Sequence, residues 1–145
     1  AWGRRVRTSP GGELFAQVDQ TRSTEWSAGA GLLIRDTTTW EPQPAMPGAA
    51  NTTGGVAFSA DGRFLATGHM ANVGERTRVI GVSLGLPMQY QVNEYDYLVH
   101  LRELPTGRVV KTLGGWQQAV AHLAFSPDGS VVAGTAGPRL RVWDV

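Results

Sequence analysis

The sequence predicts an all-β protein built from a repeated unit of short antiparallel strands. Three segments of the 145-residue chain share one pattern: an apolar run, a turn that ends in glycine, and a second apolar run. The turns read Ser-Pro-Gly-Gly at 9–12, Ser-Ala-Asp-Gly at 59–62 and Ser-Pro-Asp-Gly at 126–129. Glycine in such a turn adopts the positive φ that reverses the chain between two strands. Each repeat is therefore expected to begin with a β-hairpin.

Each repeat also contains a third apolar segment, and the second repeat contains a fourth. The third strands are predicted at 32–36, 98–103 and 140–144, and the fourth at 108–113. Repeated four-stranded antiparallel sheets are typical of β-propeller blades. We expect one domain over 1–145, with blade 1 at about 1–50, blade 2 at about 51–116 and an incomplete blade 3 at about 117–145.

The number of predicted blades is too small for a closed ring. Propellers have about four to eight blades, and this chain holds about two and three-quarters. The sequence therefore predicts a β-propeller fragment, an incomplete ring that belongs to a longer parent chain with further blades. Such a fragment is expected to leave an open inter-blade face and exposed strand edges that favour self-association.

The stretch from 98 to 144 resembles the WD-repeat (WD40) family. It has the hairpin Phe-Ser-Pro-Asp-Gly at 125–129, the turn Thr-Gly at 106–107 and the terminal pair Trp-Asp at 143–144. This resemblance implies a propeller of about seven blades that acts as a non-catalytic scaffold for a protein or peptide and needs no cofactor. The residues that carry the motif are Asp61, Gly62, Asp128, Gly129, Thr135, Trp143 and Asp144.

The family often joins four side chains of a blade by hydrogen bonds, and here that set is incomplete. The set contains a third-strand Trp, a second-strand Ser or Thr, a His before the first strand and an Asp before the third. In the last repeat the matching residues are Trp143 and Thr135, and the departures are Trp116 and Gly137. Arg35 and Arg102 replace the Trp in the other two repeats. We expect those blades to be held by apolar burial and strand pairing.

The repeat spacing indicates two insertions. Ser9 and Ser59 are 50 residues apart, and Ser59 and Ser126 are 67 apart, against about 40 to 45 for a plain blade. The excess falls between the second and third strands, at 20–31 and at about 71–96. Because connections alternate between the ends of an antiparallel sheet, both insertions are expected on one face. Insertions in repeat proteins commonly collect on the binding face.

Candidate docking residues lie mainly in these insertions. The longer one contains two apolar segments, 79–84 and 88–92, separated by Gly-Leu-Pro at 85–87, which suggests an extra hairpin. Aromatic side chains supply large contact areas in interfaces, but the tyrosines equally suit packing of that hairpin onto its blade. Trp26 and Arg22 have the same two interpretations, and Trp116 is either a docking residue or a wedge between blades. The candidates are Arg22, Trp26, Met88, Tyr90, Glu94, Tyr95, Asp96, Tyr97 and Trp116.

Other classes of function receive little support from the sequence. The chain has no Gly-x-Ser-x-Gly nucleophile motif, and its three histidines, His69, His100 and His122, are scattered over different strands. No ligand set suggests a metal site, and no enzyme activity is expected. A net charge of +1 provides no strong field for nucleic acid or membrane binding. The absence of cysteine favours a cytoplasmic location. The alternative is a fragment of an enzymatic propeller whose active residues lie outside this chain.

Overall fold

The computed structural model describes residues 5–19, 31–43 and 52–145. Ten strands and no helix occur in these ranges, so the predicted all-β fold class is confirmed. The candidates Arg22 and Trp26, and with them nearly all of the first insertion, lie outside the described residues.

The strands form three consecutive antiparallel sheets, which we call blades 1 to 3. Blade 1 consists of β1 (Arg5–Thr8), β2 (Leu14–Asp19) and β3 (Gly31–Asp36). Blade 2 consists of β4 (Thr52–Phe58), β5 (Phe64–Ser83), β6 (Leu86–Glu103) and β7 (Arg108–Trp116). Blade 3 consists of β8 (His122–Phe125), β9 (Val131–Ala136) and β10 (Arg139–Asp144). Neighbours in sequence are neighbours in each sheet, as expected for a meander.

The first hairpin turn is the same in all three blades. In each, the serine that opens the turn accepts on its Oγ the backbone N–H of the residue five positions later, and the last glycine of the turn has a positive φ. The N–O distances are 3.0 Å for Leu14 to Ser9, 2.9 Å for Phe64 to Ser59 and 3.0 Å for Val131 to Ser126. The φ angles are 74° at Gly12, 72° at Gly62 and 73° at Gly129. The three serines therefore mark equivalent positions of the repeat.

The turn after the third strand is shared by blades 1 and 2. Trp40 N–H donates to the Asp36 carbonyl at 2.9 Å, and Gly107 N–H donates to the Glu103 carbonyl at 2.8 Å. The residue that closes the turn has a positive φ in both blades, 59° at Trp40 and 73° at Gly107. After this turn the chain of blade 1 folds back beside β3, because Pro42 forms an isolated bridge with Arg35.

The hydrophobic core lies between blades rather than inside any one sheet. Successive side chains of a strand point to opposite faces, so blade 2 contributes Leu65 to one interface and Ala66 to the other. The interface with blade 1 is a cluster of Ala16, Val18, Ile34, Val56 and Leu65. The larger interface with blade 3 contains Ala57, Ala66, Val99, Leu101, Leu113, Trp116, Val120, Leu123, Val132 and Ala136.

The far face of blade 3 is open to solvent. In β8 only Leu123 is buried, whereas Ala124 is exposed. Ala124 lies opposite Ala133, which lies opposite Val142, and Val142 is 58% exposed. These side chains point away from blade 2, and no described strand covers them. This is an open inter-blade face of the kind the sequence predicts.

Candidate functional site

The longer insertion forms a two-stranded ribbon that projects from blade 2. β5 and β6 remain paired beyond the blade, from Met70 opposite Tyr97 to Ser83 opposite Leu86. We call residues 70–97 the ribbon. The expected extra hairpin is thus a continuation of the second and third strands, because no strand-breaking segment separates the two. Small bulges interrupt the register between Asn72 and Gly74 and between Val79 and Gly81.

The turn at the tip of the ribbon lies one residue earlier than the Gly-Leu-Pro segment had suggested. Leu84 and Gly85 form a two-residue loop with φ angles of 51° and 79°. Positive φ at both central residues is the geometry of a type I′ turn, which matches the twist of a hairpin. Pro87 then lies inside β6, opposite Val82. Proline is tolerated there because this part of β6 is an edge strand.

One face of the ribbon carries a continuous apolar stripe. Alternate residues of β6 share a face, which places Leu86, Met88, Tyr90 and Val92 in one row. The cross-strand neighbour of Tyr90 is Arg78, and that of Val92 is Arg76. Residues directly opposite each other lie on the same side of an antiparallel pair. The apolar row is therefore flanked by two guanidinium groups.

The opposite face of the ribbon is more polar. It carries Gln89 and Gln91 from β6, and the Thr77 hydroxyl donates to Gln91 Oε1 at 3.2 Å. Val79 and Val82 lie on this face only near the tip. The stripe of Leu86, Met88, Tyr90 and Val92 thus extends further along the ribbon than the apolar part of the second face.

Most of the large apolar side chains of the ribbon are exposed. Leu84 is 100% exposed, Leu86 70% and Met88 48%. Eight of the fifteen large hydrophobic residues that are exposed in the described part of the chain lie in the ribbon. Contiguous exposed apolar surface marks interaction sites more often than chance exposure. The ribbon is thus the main apolar surface that the described chain leaves uncovered.

The charge of the ribbon changes along its length. Near its base, Glu94 forms an ion pair with Arg76 at 2.8 Å, and Asp96 is exposed. Between residues 76 and 93 the sequence has two arginines and no Asp or Glu. The outer part of the ribbon therefore carries positive charge beside its apolar surface.

The candidate residues of the long insertion fall into two groups: some lie on the surface, as docking would require, and others pack onto the blade. Met88, Tyr90 and Glu94 share the stripe face, whereas Tyr95 lies on the opposite face and is 38% exposed. Tyr97 is half-buried and packs against the core between blades 2 and 3, which is the packing alternative. The structure therefore groups some of the candidates in one surface and assigns Tyr97 to the blade itself.

Trp116 is a wedge between blades 2 and 3. Its side chain is only 5% exposed. Its ring centroid lies 5.2 Å from that of Trp143, at an interplanar angle of 58°, and the Arg141 guanidinium lies 5.5 Å from the ring centre. The ring therefore offers no exposed docking face, because it packs between the two blades.

Sequence reasoning missed a buried polar network in blade 2, centred on Arg102. Arg102 has no exposed surface, although it occupies the position of the family's third-strand Trp. Its Nη1 donates to the Gly107 carbonyl at 3.0 Å, and its Nε donates to Thr67 Oγ1 at 3.3 Å. His69 and His100 lie beside its Nη2, at 3.5 and 3.4 Å. Blade 2 is thus held by polar contacts as well as apolar burial, contrary to the expectation.

Blade 1 repeats one contact of this network. Arg35, at the equivalent position, donates from Nη1 to the Trp40 carbonyl at 2.7 Å. In both blades the acceptor is the positive-φ residue that closes the next turn. Arginine at this position therefore links the third strand to the turn that follows it. In the sequence, the only sign of this contact is an arginine five residues before the last residue of the turn.

Trp143 and Thr135, which match two members of the family's set, lie on opposite faces of blade 3. Trp143 lies opposite Val132 in the register of blade 3, so the two side chains share a face. Thr135 is three residues from Val132 and therefore points to the other face. Gly134 takes the position next to the tryptophan instead, since a Cβ on it would lie 3.4 Å from Trp143 Cζ3.

The motif aspartates stabilise the hairpin turns. The Ser126 hydroxyl bonded to Asp128 is the largest cause that lowers the pKa of this carboxyl to about 2. The Ser59 hydroxyl likewise lowers the pKa of Asp61. Both carboxylates also accept backbone N–H groups, from Arg63 and Ser130. These residues have structural roles in turns, consistent with their place in the motif.

The described residues contain no candidate metal centre. No group of three or more His, Asp or Glu side chains that could hold a metal ion occurs in residues 5–19, 31–43 and 52–145. His69 and His100 belong to the Arg102 network, with ring centroids 4.3 Å apart. Across the same ranges no helix has the length and apolar character needed to cross a lipid bilayer.

Comparison with known proteins supports the propeller architecture. The WD40 family model, "WD domain, G-beta repeat", matches residues 107–144. A Dos1 propeller has a TM-score of 0.63 and 12% identity over 98% of this chain. The Cps50 (Swd1) β-propeller domain of Myceliophteria thermophila has a TM-score of 0.61 and 13% identity over 100% of it. No curated protein sequence matches the chain.

The chain is much shorter than these propellers. It spans 31% of the first solved chain and 39% of the second, and identities this low show the fold alone. WD40 propellers generally mediate protein interactions, and they are typically non-catalytic scaffolds. The repeated hairpin turns, the inter-blade cores and the similar solved structures show that the chain is a fragment of a β-propeller, and residues 107–144 of it match the WD40 repeat.

Proposed function

We propose that this propeller fragment is a non-catalytic docking platform and that the ribbon binds its protein partner. The observation that carries the proposal is the apolar stripe on this two-stranded support, in which Leu86, Met88 and Tyr90 are exposed and Val92 is half-buried. Main-chain pairing along the ribbon keeps these side chains in one row. A preformed row lowers the entropy cost of binding.

The electrostatics of the ribbon define the chemistry of the partner. Arg76 and Arg78 flank the stripe, and because Arg76 is ion-paired with Glu94, Arg78 supplies the positive charge beside the outer part of the stripe. Complementary charge speeds association and fixes orientation. The partner surface therefore presents apolar side chains bordered by Asp or Glu.

The test begins with a photo-crosslinking amino acid at position 84, the fully exposed tip. A captured protein is then purified, and its Kd is measured for three forms of the chain. The stripe variant carries Leu86→Ser, Met88→Ser and Tyr90→Ser, and the matched control carries Gln89→Ser and Gln91→Ser on the opposite face. We expect the stripe variant to raise Kd at least about tenfold and the control to change it less than about twofold.

Unfolding in urea provides the folding control. All five substituted side chains are exposed, so both variants should retain the wild-type midpoint. Equal affinity of the wild type and the stripe variant for every crosslinked partner would reject the ribbon as the docking site. Charge reversal by Arg78→Glu is expected to slow association, and this effect should weaken at high salt.

A further inference from the structure

The two edges of the ribbon differ in how well they are protected against strand pairing. Edge strands of folded proteins usually carry bulges, charges or proline, because unpaired N–H and C=O groups otherwise recruit another strand. Both bulges of the ribbon add their extra residue to β5, and this strand also carries Glu75, Arg76 and Arg78. The segment Met-Gln-Tyr-Gln-Val-Asn at 88–93 of β6 has no bulge, no charge and no proline. The edge formed by β6 is therefore the one that remains open to pairing.

The turn at the tip determines which main-chain groups of β6 point outward. A type I′ turn directs the N–H of its fourth residue, here Leu86, toward the carbonyl of its first, Ser83. Successive residues of a strand direct these groups to opposite sides, so the main-chain groups of Gln89 and Gln91 point away from β5. Pro87 has the same orientation, and a residue without an N–H is tolerated there because β5 needs no donor from it.

The sequence of this edge is nearly the same in both directions. Residues 88–92 are Met-Gln-Tyr-Gln-Val, with one glutamine and then one apolar residue on each side of Tyr90. A two-fold axis through an antiparallel strand pair places each residue opposite the one equally far on the other side of the centre. Centred on Tyr90, this symmetry brings Met88 of one copy opposite Val92 of another, and the two glutamines opposite each other. Side chains of matching character then meet across the pair.

The length of the free edge fits the same register. None of the described strands pairs with β6 between the tip and Tyr97, where pairing with β7 ends at Trp116. In the register centred on Tyr90, Leu84 of one copy lies opposite Asp96 of the other, one residue before Tyr97. The two Tyr97 positions are separated by twice the seven residues from Tyr90, which is about 45 Å along the sheet. Each tip therefore ends just before the blade of the other copy.

We propose that the chain forms a two-fold dimer in which β6 pairs antiparallel with β6 of a second copy, centred on Tyr90. The two ribbons then form one four-stranded sheet with the uncharged segments 88–92 at its centre. Arg76 and Arg78 belong to the two outer strands, about 14 Å apart, so like charges do not meet. The apolar stripes of the two copies lie side by side on one open face, because residues opposite each other share a face. The dimer therefore does not depend on the proposed docking of a partner.

Sedimentation equilibrium of the 145-residue chain over a range of concentrations measures the dimer. The lysine variant, Gln89→Lys with Gln91→Lys, places like charges opposite each other across the two-fold axis. The matched control, Thr77→Lys with Val79→Lys, adds the same charge to the same face at the cross-strand positions of β5. We expect the lysine variant to raise the Kd of the wild-type dimer at least about tenfold and the control to change it less than about twofold.

A glutamate variant, Gln89→Glu with Gln91→Glu, provides a rescue. Alone, it should dimerise as poorly as the lysine variant. An equimolar mixture of the two variants should form a heterodimer with a Kd within about threefold of the wild-type value, because opposite charges then face each other. The substituted side chains are exposed, so urea midpoints should stay at the wild-type value, and a variant that had lost its fold would not recover in the mixture.

Single cysteines test the register, because the chain has no cysteine of its own. Tyr90→Cys faces itself across the axis, in a pair whose Cα atoms are about 4.5 Å apart, which is within the range of a disulfide. Met88→Cys faces position 92 of the other copy and should form a disulfide when mixed with Val92→Cys. We expect Met88→Cys alone to oxidise at least about tenfold more slowly than Tyr90→Cys alone.

Three results would overturn the proposal. The first is a wild-type chain that stays monomeric at its highest soluble concentration. The second is a dimer that the lysine variant leaves unchanged, which would place the interface elsewhere, for example on the open face of blade 3. The third is equal oxidation of Tyr90→Cys and Met88→Cys, each alone. Because the lysine variant keeps the apolar stripe intact, loss of the dimer and loss of partner docking are measured separately.

Discussion

Blades 2 and 3 use the same backbone position in opposite ways. Arg102 in blade 2 and Trp143 in blade 3 lie one residue before the end of the third strand, opposite Leu65 and Val132. The neighbouring second-strand position is Thr67 in blade 2 and Gly134 in blade 3. Thr67 gives the guanidinium a hydroxyl acceptor, whereas Gly134 leaves space for an indole ring.

This difference shows that the blade scaffold specifies a large side chain at this position rather than a particular chemistry. Trp143 contributes by contact with Trp116 across the interface. Arg102 contributes by linking its strand to the carbonyl of Gly107 in the next turn. A buried guanidinium depends on all of its acceptors, since each one lost leaves an uncompensated charge. Arg102 of blade 2 should therefore tolerate substitution less well than Trp143 of blade 3.

The largest expected effect is that of Arg102→Ala. Truncation removes a fully buried side chain and leaves the Gly107 carbonyl without its donor, so we expect the free energy of unfolding to fall by about 3 kcal/mol. Urea unfolding measures the change. Arg108→Ala, at an exposed arginine paired with Glu103, is the control and should cost under about 0.5 kcal/mol. Similar losses in the two variants would show that the Arg102 network adds no stability.

A smaller effect is expected for Trp143→Ala. The ring is half-buried, so its truncation should lower the free energy of unfolding by about 2 kcal/mol. A double-mutant cycle with Trp116→Leu should give a coupling energy of about 1 kcal/mol, because the two rings are in contact. Val142→Ala, on the open face, should cost under about 0.5 kcal/mol. A coupling energy near zero would show that the contact between the two rings does not stabilise blade 3.

The smallest expected effect is a pH dependence confined to blade 2. Burial, followed by the charge of Arg102, lowers the pKa of His100 from its ordinary value of 6.5. Well above pH 6.5 both folded and unfolded chains hold this ring neutral. As the pH falls below 6.5, the unfolded chain binds the proton first, so stability decreases until the lowered folded pKa is reached.

Urea midpoints at about pH 7.5 and 5.5 measure this slope, which should amount to less than about 1 kcal/mol because His100 is partly exposed. His100→Asn should reduce the slope, whereas His122→Asn on the open face of blade 3 should not. A slope that persists unchanged in His100→Asn would assign it to another group.

The hairpins of the three blades could be predicted from sequence because their determinants are local. Ser59, Asp61 and Gly62 interact within five residues of one another and with the next strand. The face of Thr135 could not be predicted in this way, because a shift of one residue in strand register reverses the direction of every side chain. Thr135 thus matches the family's residue type but lies on the other face of blade 3 from Trp143.

The ribbon, too, has features that could be predicted from the sequence and features that could not. Repeat spacing revealed that blade 2 holds extra residues, and it indicated the face from which they emerge. The sequence did not reveal that β5 and β6 would continue without a break, since an appended hairpin and a lengthened one have the same composition. The pairing of β5 with β6 continues from Met70 to Ser83, which shows that the hairpin of the blade is lengthened.

By itself, the sequence determined the repeat, its hairpin turns, the WD40 resemblance and the presence of an insertion, because each depends on residues that are near one another in the chain. Only the tertiary structure decided which polar residues are buried, which face of the ribbon is apolar and how Trp116 lies between two blades. These features depend on strand register and on the packing of one blade against the next. Such contacts join residues as far apart as Thr53 and Val120, a separation of 67, and no local pattern encodes them.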